Sequence, residues 1–290
     1  MKSNGLEPNG IATKGQSLSP KDFQRLSAFI HSECGIKMPD VKKIMLESRL
    51  NKRLRSLGKK NFSEYCDYVF GPEGAENERG HLIDAVTTNK TEFFRESAHF
   101  ERLVDFVLPD LITNRSEPGD MMVWSAGCSS GEEPYTLAMV LSEFAAGTPG
   151  FRFRIIATDI CNSVLETAAN AVYSEEKITP VPEHYRTKYI MWSKNRARRM
   201  VRIVPEIRSA VKFRRLNFME ADFGFRERMD IIFCRNVIIY FDRQTQERLI
   251  NRFCGHLRPG GYLFLGHSET LNGLNVLLRQ AAPTIYRKEA

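Results

Sequence analysis

The stretch Met121-Met122-Val123-Trp124-Ser125-Ala126-Gly127-Cys128-Ser129-Ser130-Gly131-Glu132-Glu133-Pro134 decides the fold. Its first four residues form a short apolar strand, and the loop after them leads into a helical run, Tyr135 to Phe144. Phe151 to Ile156 reads as a second strand, stopping at Ala157-Thr158-Asp159, and helical Asn162 to Ala171 follows. Further on, Met229 to Phe233 is a strand, Gln244 to Leu257 a helix, and Arg258-Pro259-Gly260-Gly261 a turn into the strand Tyr262 to Leu265. Strands alternating with helices predict a parallel sheet covered on both faces.

An insertion of about 172–213 interrupts this series. Its second half, Met200 to Phe213, alternates apolar and polar residues through Val201, Ile203, Val211 and Phe213, behind a basic turn at Ser193 to Arg198. It reads as a small antiparallel excursion, such as a hairpin. Upstream of the sheet the pattern is helical. Ser19-Pro20-Lys21-Asp22 starts a helix with a cap and a first-turn proline. Val41 to Leu57 predicts a second, with Ile44, Met45, Leu50 and Leu54 as its apolar stripe and Gly58 ending it. Phe62 to Phe70 and Glu78 to Thr87 continue the series. The expected organisation is a flexible leader at 1–18, a helical domain at 19–88, a linker at 89–118 and an α/β domain at 119–290 carrying the insertion.

No stretch approaches the roughly 20 apolar residues of a membrane span, and the leader lacks a signal peptide's apolar core. Six scattered cysteines without a C-x-x-C pair suit a reducing cytoplasm, and six histidines without H-x-x-x-H spacing do not indicate a metal. Between Lys37 and Lys60 nine basic residues face only Asp40 and Glu47, an excess equal to the chain's formal +7. Such a segment steers an acidic partner, or is a solvated helix face.

In an open parallel sheet, ligands sit beyond the carboxyl ends of the strands, where strand order reverses. Gly127 and Gly131 let the backbone turn tightly there. The loop is neither G-x-G-x-x-G nor a P-loop with its lysine. Glu132 and Glu133 would repel a pyrophosphate and favour a ligand with an ammonium or sulfonium. Asp159 is placed to accept from both hydroxyls of a ribose, although it reads equally well as a helix cap. Together with the Pro-Gly-Gly turn, these features resemble the Rossmann-like core of class I S-adenosylmethionine-dependent methyltransferases.

A more specific resemblance lies in Thr88-Asn89-Lys90-Thr91-Glu92-Phe93-Phe94-Arg95-Glu96, which is similar to the T-N-x-T-x-F-F-R-E signature of the chemotaxis receptor methyltransferases, the CheR family. Matches follow in order at Ser130 to Tyr135, Ala157 to Ile160, Asn217, Phe233 to Asp242 and Gly266-His267-Ser268-Glu269. The resemblance implies that Arg95 pairs with the methionyl carboxylate of S-adenosylmethionine, with Asn89 and Thr91 beside it. It implies that Gly127 lies against the cofactor, that Glu133 takes the amino group and that Asp159 takes the ribose. Asn217 and Phe218 would lie along the adenine, Arg235 and Asn236 would close the pocket, and Tyr240 would sit near the transferring methyl. An ordinary ion pair of Arg95 with Glu92 or Glu96 is the bland alternative, as is core packing for Tyr240.

The implied reaction is transfer of that methyl to glutamate carboxylates in the cytoplasmic helices of a chemoreceptor, leaving a methyl ester and S-adenosylhomocysteine. A glutamate with a pKa of about 4.3 is already ionised near neutral pH, so neither a general base nor a metal is required. The basic face Lys42, Arg49, Lys52, Arg53 and Arg55 is then the expected dock for an acidic receptor bundle, with the enzyme a cytoplasmic monomer. The turn Trp192 to Arg196 lacks the glycine-rich loop of members that grip a receptor's C-terminal pentapeptide, which speaks against that tether. Two other readings stay open. One is a nucleic-acid methyltransferase, against which stands the lack of aromatics interleaved with the basic segments. The other is a silent receptor-binding adaptor.

Overall fold

The computed structural model describes residues 17–114 and 119–289, so the expected leader falls outside it up to residue 16. The chain forms two compact units. One comprises the described residues up to Phe29 together with Met38–Val86, and the other Ile30–Lys37 together with the chain from Thr87 onward.

The first unit is helical, with helices Lys43–Ser56, Phe62–Phe70, Pro72–Asn77 and Arg79–Val86 after a single 3-10 turn at Asp40–Lys42. The buried stripe of Lys43–Ser56 is Leu46, Leu50 and Leu54. Ile44, expected in that stripe, is 78% exposed, because two residues before Leu46 puts it about 200° round the helix, on the opposite face. Arg53 does not belong to a free basic face. Its Nε and terminal nitrogen donate to both oxygens of the fully buried Glu78 at 2.9 and 2.6 Å, and the Tyr65 hydroxyl donates to the same carboxylate at 3.0 Å. Arg49 donates to the Val86 carbonyl at 2.6 Å. Lys52 and Arg55 are the exposed members of the set, Lys42 being half-buried.

The second unit is built on a seven-stranded sheet. Strands β1 (Met121–Ala126), β2 (Phe153–Asp159), β6 (Val211–Arg215), β7 (Met229–Cys234), β8 (Leu257–Leu265), β9 (Leu278–Ala282) and β10 (Ile285–Lys288) lie in the order β6-β2-β1-β7-β8-β10-β9. The five strands from β6 to β8 are parallel, and β10 and β9 add antiparallel to the edge, so the sheet is mixed rather than wholly parallel. Every residue of β1 and β7 is buried, as central strands covered on both faces require. From β1 the chain winds outward to β2 and β6, then returns to β7 and winds the other way. The strand order therefore reverses between β1 and β7.

Three local expectations change. Arg258 to Gly261 do not form a separate turn but lie inside β8, where the register against β7 jumps from Met229↔Leu257 to Ile231↔Tyr262. The insertion is a three-stranded antiparallel sheet, with β3 (Val172–Ser174), β4 (Ile190–Trp192) and β5 (Met200–Ile203) in the order β3-β5-β4. Val211 and Phe213 belong instead to β6 in the main sheet, after the short helix Pro205–Ser209. The expected linker contains a continuous helical run, Ala98–Arg102, Leu103–Val107 and Leu108–Asn114. Its middle is a π-turn in which the Leu108 N–H bonds to the Leu103 carbonyl, one residue before Pro109, which has no N–H to give.

Candidate active site

The carboxyl ends of β1, β2, β6 and β7 open into one pocket made wholly from the second unit. Asn89, Thr91, Arg95, Gly127, Glu133, Asp159, Asn217, Phe218, Arg235, Asn236 and Tyr240 all line it, so every residue expected from the sequence to touch the cofactor or the methyl reaches one cavity. Residues as far apart as 127 and 240 meet there because the strand ends converge at the reversal point, and the segment at Asn89 is tied to them through Ser129.

At the end of β1 the chain turns with Gly127 at φ +85°, and the Gly127 and Cys128 N–H groups donate to the Thr158 carbonyl at 2.8 and 2.9 Å. A Cβ at Gly127 would stand 2.6 Å from Val237 Cγ2, so this position needs glycine on both counts. Asp159 ends β2 nearly buried. Its two oxygens accept the N–H groups of Ser129 at 2.8 Å and Cys161 at 3.0 Å, which join the β1 and β2 loops. Two alignable backbone donors hold the carboxylate in place while it faces the cavity. Ser129 Oγ in turn donates to the Asn89 carbonyl at 3.0 Å and anchors the signature segment.

The two loop glutamates part company. Glu133 lines the pocket, accepts from Ser125 Oγ at 2.7 Å and faces Arg235 at 3.3 Å. Burial pushes its carboxyl above the usual range, and Arg235 opposes that shift. Such a group gains from an arriving cation. Glu132, by contrast, does not line the cavity. It is fully buried, bonded to Lys177 at 2.5 Å and to Ser130 Oγ at 2.7 Å, so it anchors the insertion and its charge is spent there. Only half of the acidic argument drawn from the sequence therefore applies to a ligand.

Arg235, with a side chain 2% exposed, is the hub of the strand-end network. It donates to Glu96 Oε2 at 3.0 Å, to Glu133 and to the Arg95 carbonyl, and its guanidinium lies over the Phe100 ring at 5.4 Å. Glu96 thus pairs with Arg235 rather than with Arg95. Burial works against its charge, yet Arg235 and Asn236 hold its pKa below the ordinary carboxylate value. Arg95 reaches into the pocket and donates to the Lys90 carbonyl at 3.0 Å. Asn236 sits at φ +60°, with its N–H on Glu269 at 2.8 Å and its amide on Glu96 at 3.3 Å. Glu269, almost fully buried, also accepts from the Val237 and Gly266 N–H groups and so fixes the turn after β7.

Four of the seven described non-glycine residues with positive φ are Phe94, Glu96, Ser129 and Asn236. All belong to the segments that shape this pocket, where strained backbone is held by the network around it. Glu96, Glu269 and the segment Cys34 to Lys37 are additions to the expected site residues. In that segment Cys34 and Ile36 line the cavity, Ile36 bridges to Phe241 and the Lys37 N–H bonds to the Tyr240 carbonyl at 2.8 Å. Glu96 and Glu269 carried a signal, since both close quoted motifs. Cys34 and Ile36 carried none. Asn217 donates to the Glu33 carbonyl at 2.5 Å, and Phe218 packs edge-on against Trp124.

Comparison with known proteins gives this geometry a family. Residues 89–286 match "CheR methyltransferase, SAM binding domain" and residues 21–87 match "CheR methyltransferase, all-alpha domain". The chain is 39% identical over 275 residues to the chemotaxis protein methyltransferase of Borreliella burgdorferi, covering 94% of this chain and 95% of that one. It is 38% identical over 244 residues to the probable chemotaxis protein methyltransferase of Rhizobium etli, covering 84% and 90%. Against the chemotaxis protein methyltransferase of Escherichia coli it is 36% identical over 274 residues, covering 94% and 93%. Matched by both domains of the family and by relatives along nearly their whole length, this chain belongs to the CheR methyltransferases, whose larger domain binds S-adenosylmethionine.

Proposed function

We propose that this protein esterifies glutamate side chains on the cytoplasmic helices of chemoreceptors, with S-adenosylmethionine as methyl donor. The observation that carries the reading is the pocket itself, where Arg95, Glu133 from the helix start after β1 and Asp159 from the end of β2 face one cavity. That donor set suits a ligand bearing a carboxylate, an ammonium and a ribose. The methyl donor, when bound, supplies an electrophilic methyl on a sulfonium.

The residues then act by binding and alignment. The Arg95 guanidinium holds the carboxylate end, with Asn89 and Thr91 alongside. Glu133 takes the ammonium, and Asp159, already fixed by Ser129 and Cys161, takes the ribose hydroxyls. Asn217 and Phe218 flank the base. Tyr240, in the pocket lining beside Phe241, orients the incoming carboxylate. No residue has to remove a proton, and the work is orientation and exclusion of water. On the first unit, Lys52 and Arg55 are the residues proposed to meet an acidic receptor helix, since Arg49 and Arg53 are bonded within their own fold.

The test incubates the protein with radiolabelled S-adenosylmethionine and receptor cytoplasmic fragments, then treats the product with alkali. Label released as methanol supports the glutamyl ester. Alkali-stable label, label on nucleic acid, or no transfer would overturn it. Tyr240→Phe should lower kcat by about 10–100-fold, with the dissociation constant for S-adenosylhomocysteine within about threefold of the parent. Lys52→Glu combined with Arg55→Glu should raise the receptor KM at unchanged cofactor affinity.

A further inference from the structure

Beside the pocket, but outside its lining, three potential ligands converge. Glu96, His99 and His267 bring one ligand atom each to within 4.8 Å of one another. Glu96 and His99 are three residues apart, and His267 arrives from the connection after β8. No histidine spacing in the sequence announces this set, which becomes visible only when β8 brings His267 alongside.

One ring nitrogen of His99 has a hydrogen-bond partner and the other has none. His99 Nε2 lies 2.8 Å from the Thr284 hydroxyl, whose oxygen is also 2.8 Å from the Pro283 carbonyl. With the Thr284 hydroxyl turned to Pro283, Nε2 is the donor and Nδ1 the acceptor, the tautomer that a metal ligand needs. Nδ1 has no hydrogen-bond partner, although the side chain is only 3% exposed. It faces Glu96 Oε2 at 3.5 Å, a carboxylate oxygen that likewise has no proton to give. An unpartnered, nearly buried imidazole nitrogen 3.5 Å from a carboxylate oxygen is a ready place for a cation.

We infer that Glu96, His99 and His267 form a binding site for a borderline transition-metal ion of the zinc or cobalt(II) class. Two ligands each about 2.1 Å from a tetrahedral ion stand roughly 3.4 Å apart. The 3.5 Å between His99 Nδ1 and Glu96 Oε2 and the 3.9 Å between His267 Nε2 and the same oxygen lie close to that spacing. The set of two imidazoles and one carboxylate suits these ions better than calcium or magnesium. Thr284 supplies the outer hydrogen bond that such histidines ordinarily have. His267 is 57% exposed, which gives the ion a way in and leaves its remaining position to water. Arg235 stands next to Glu96, but Glu133 also faces that guanidinium, so the carboxylates outnumber it.

The ion has no part in methyl transfer. Its effect comes through Glu96 Oε2, the oxygen on which Arg235 donates. An ion there competes with Arg235, which also holds Glu133 and the Arg95 carbonyl. Metal binding should therefore weaken the cofactor pocket, a coupling that rests on the cofactor reading above.

The tag-free, chelator-stripped full chain is titrated with cobalt(II) alone and followed by its visible absorption. Saturable tetrahedral bands are expected, with His267→Gln and His99→Gln each weakening binding at least tenfold and removing the bands. No saturable absorption in the parent, or equal titrations in parent and both variants, would overturn the site. The exposed His267 makes its variant informative even if His99→Gln folds poorly. For the coupling, zinc should weaken S-adenosylhomocysteine binding at least threefold in the parent and not in His267→Gln. An equal effect on both proteins would overturn it, whereas the cobalt titration, made without cofactor, stands apart from the cofactor reading.

Discussion

Replacing Arg53 by alanine separates a residue that holds the fold from one that meets a partner. Both oxygens of Glu78, which is 0% exposed, are bound by the Arg53 guanidinium at 2.9 and 2.6 Å, and Tyr65 alone would remain after the substitution. Breaking a buried pair by removing one partner costs about 3–5 kcal/mol. Arg53 keeps a quarter of its side chain exposed, so water can reach the gap and the lower end, about 3 kcal/mol, applies. In a Glu78→Gln background the amide strands no charge, and Arg53→Ala should cost about 1 kcal/mol. The difference is a coupling of about 2 kcal/mol, well beyond what independent sites show. Urea unfolding of the four proteins, followed by far-ultraviolet circular dichroism, measures the cycle through the shift in midpoint at constant slope. A receptor-docking role would leave the midpoint unmoved and raise the receptor KM instead. A loss below about 1 kcal/mol, or an additive cycle, would refute the structural reading of this pair.

Two further outcomes can be checked. Gly127→Ala puts a methyl 2.6 Å from Val237 Cγ2 at φ +85°, so it should cost about 1–3 kcal/mol and weaken S-adenosylhomocysteine binding measured by calorimetry. Adding Val237→Ala should recover only the steric part. Asp242 accepts from His31 Nε2 at 2.8 Å and from the Thr245 N–H at the head of the helix Arg243–His256, which holds its pKa down to about 2. The unfolded value is about 3.9, so its contribution is complete above roughly pH 4 and is lost as pH falls toward 2. Asp242→Asn should flatten the acid limb of the stability–pH curve below pH 4 and leave its slope above pH 5 unchanged.

The strand–loop–helix unit at β1 was legible because an apolar run, two glycines and a helical pattern fall within one short window. The pocket residues were legible through ordered motifs, all but the first of which end a strand, and strand ends converge. Partnerships were not. Glu132 and Glu133 are neighbours with equal chemistry, yet one is consumed by Lys177 and the other faces the cavity. The same holds for Arg53, whose partner is 25 residues away. The last hairpin, β9 and β10, escaped notice because Arg279-Gln280-Ala281-Ala282-Pro283-Thr284 shows no alternation on an edge strand exposed along most of its length. The run from Ala98 to Asn114 passed for a linker because Pro109 interrupts its helical pattern, and the π-turn that absorbs the proline leaves no trace in composition.

The buried Glu269, which pins the turn after β7 from beyond β8, also bears on how the molecule comes together in time. The walls of the pocket are separated by long stretches of chain, from Asn89 to Tyr240, and contacts of such sequence separation form late in folding. A small molecule that needs all of them cannot guide the chain through its early steps. Cofactor should therefore leave the refolding rate nearly unchanged and act on the unfolding rate, lengthening the lifetime of the finished protein.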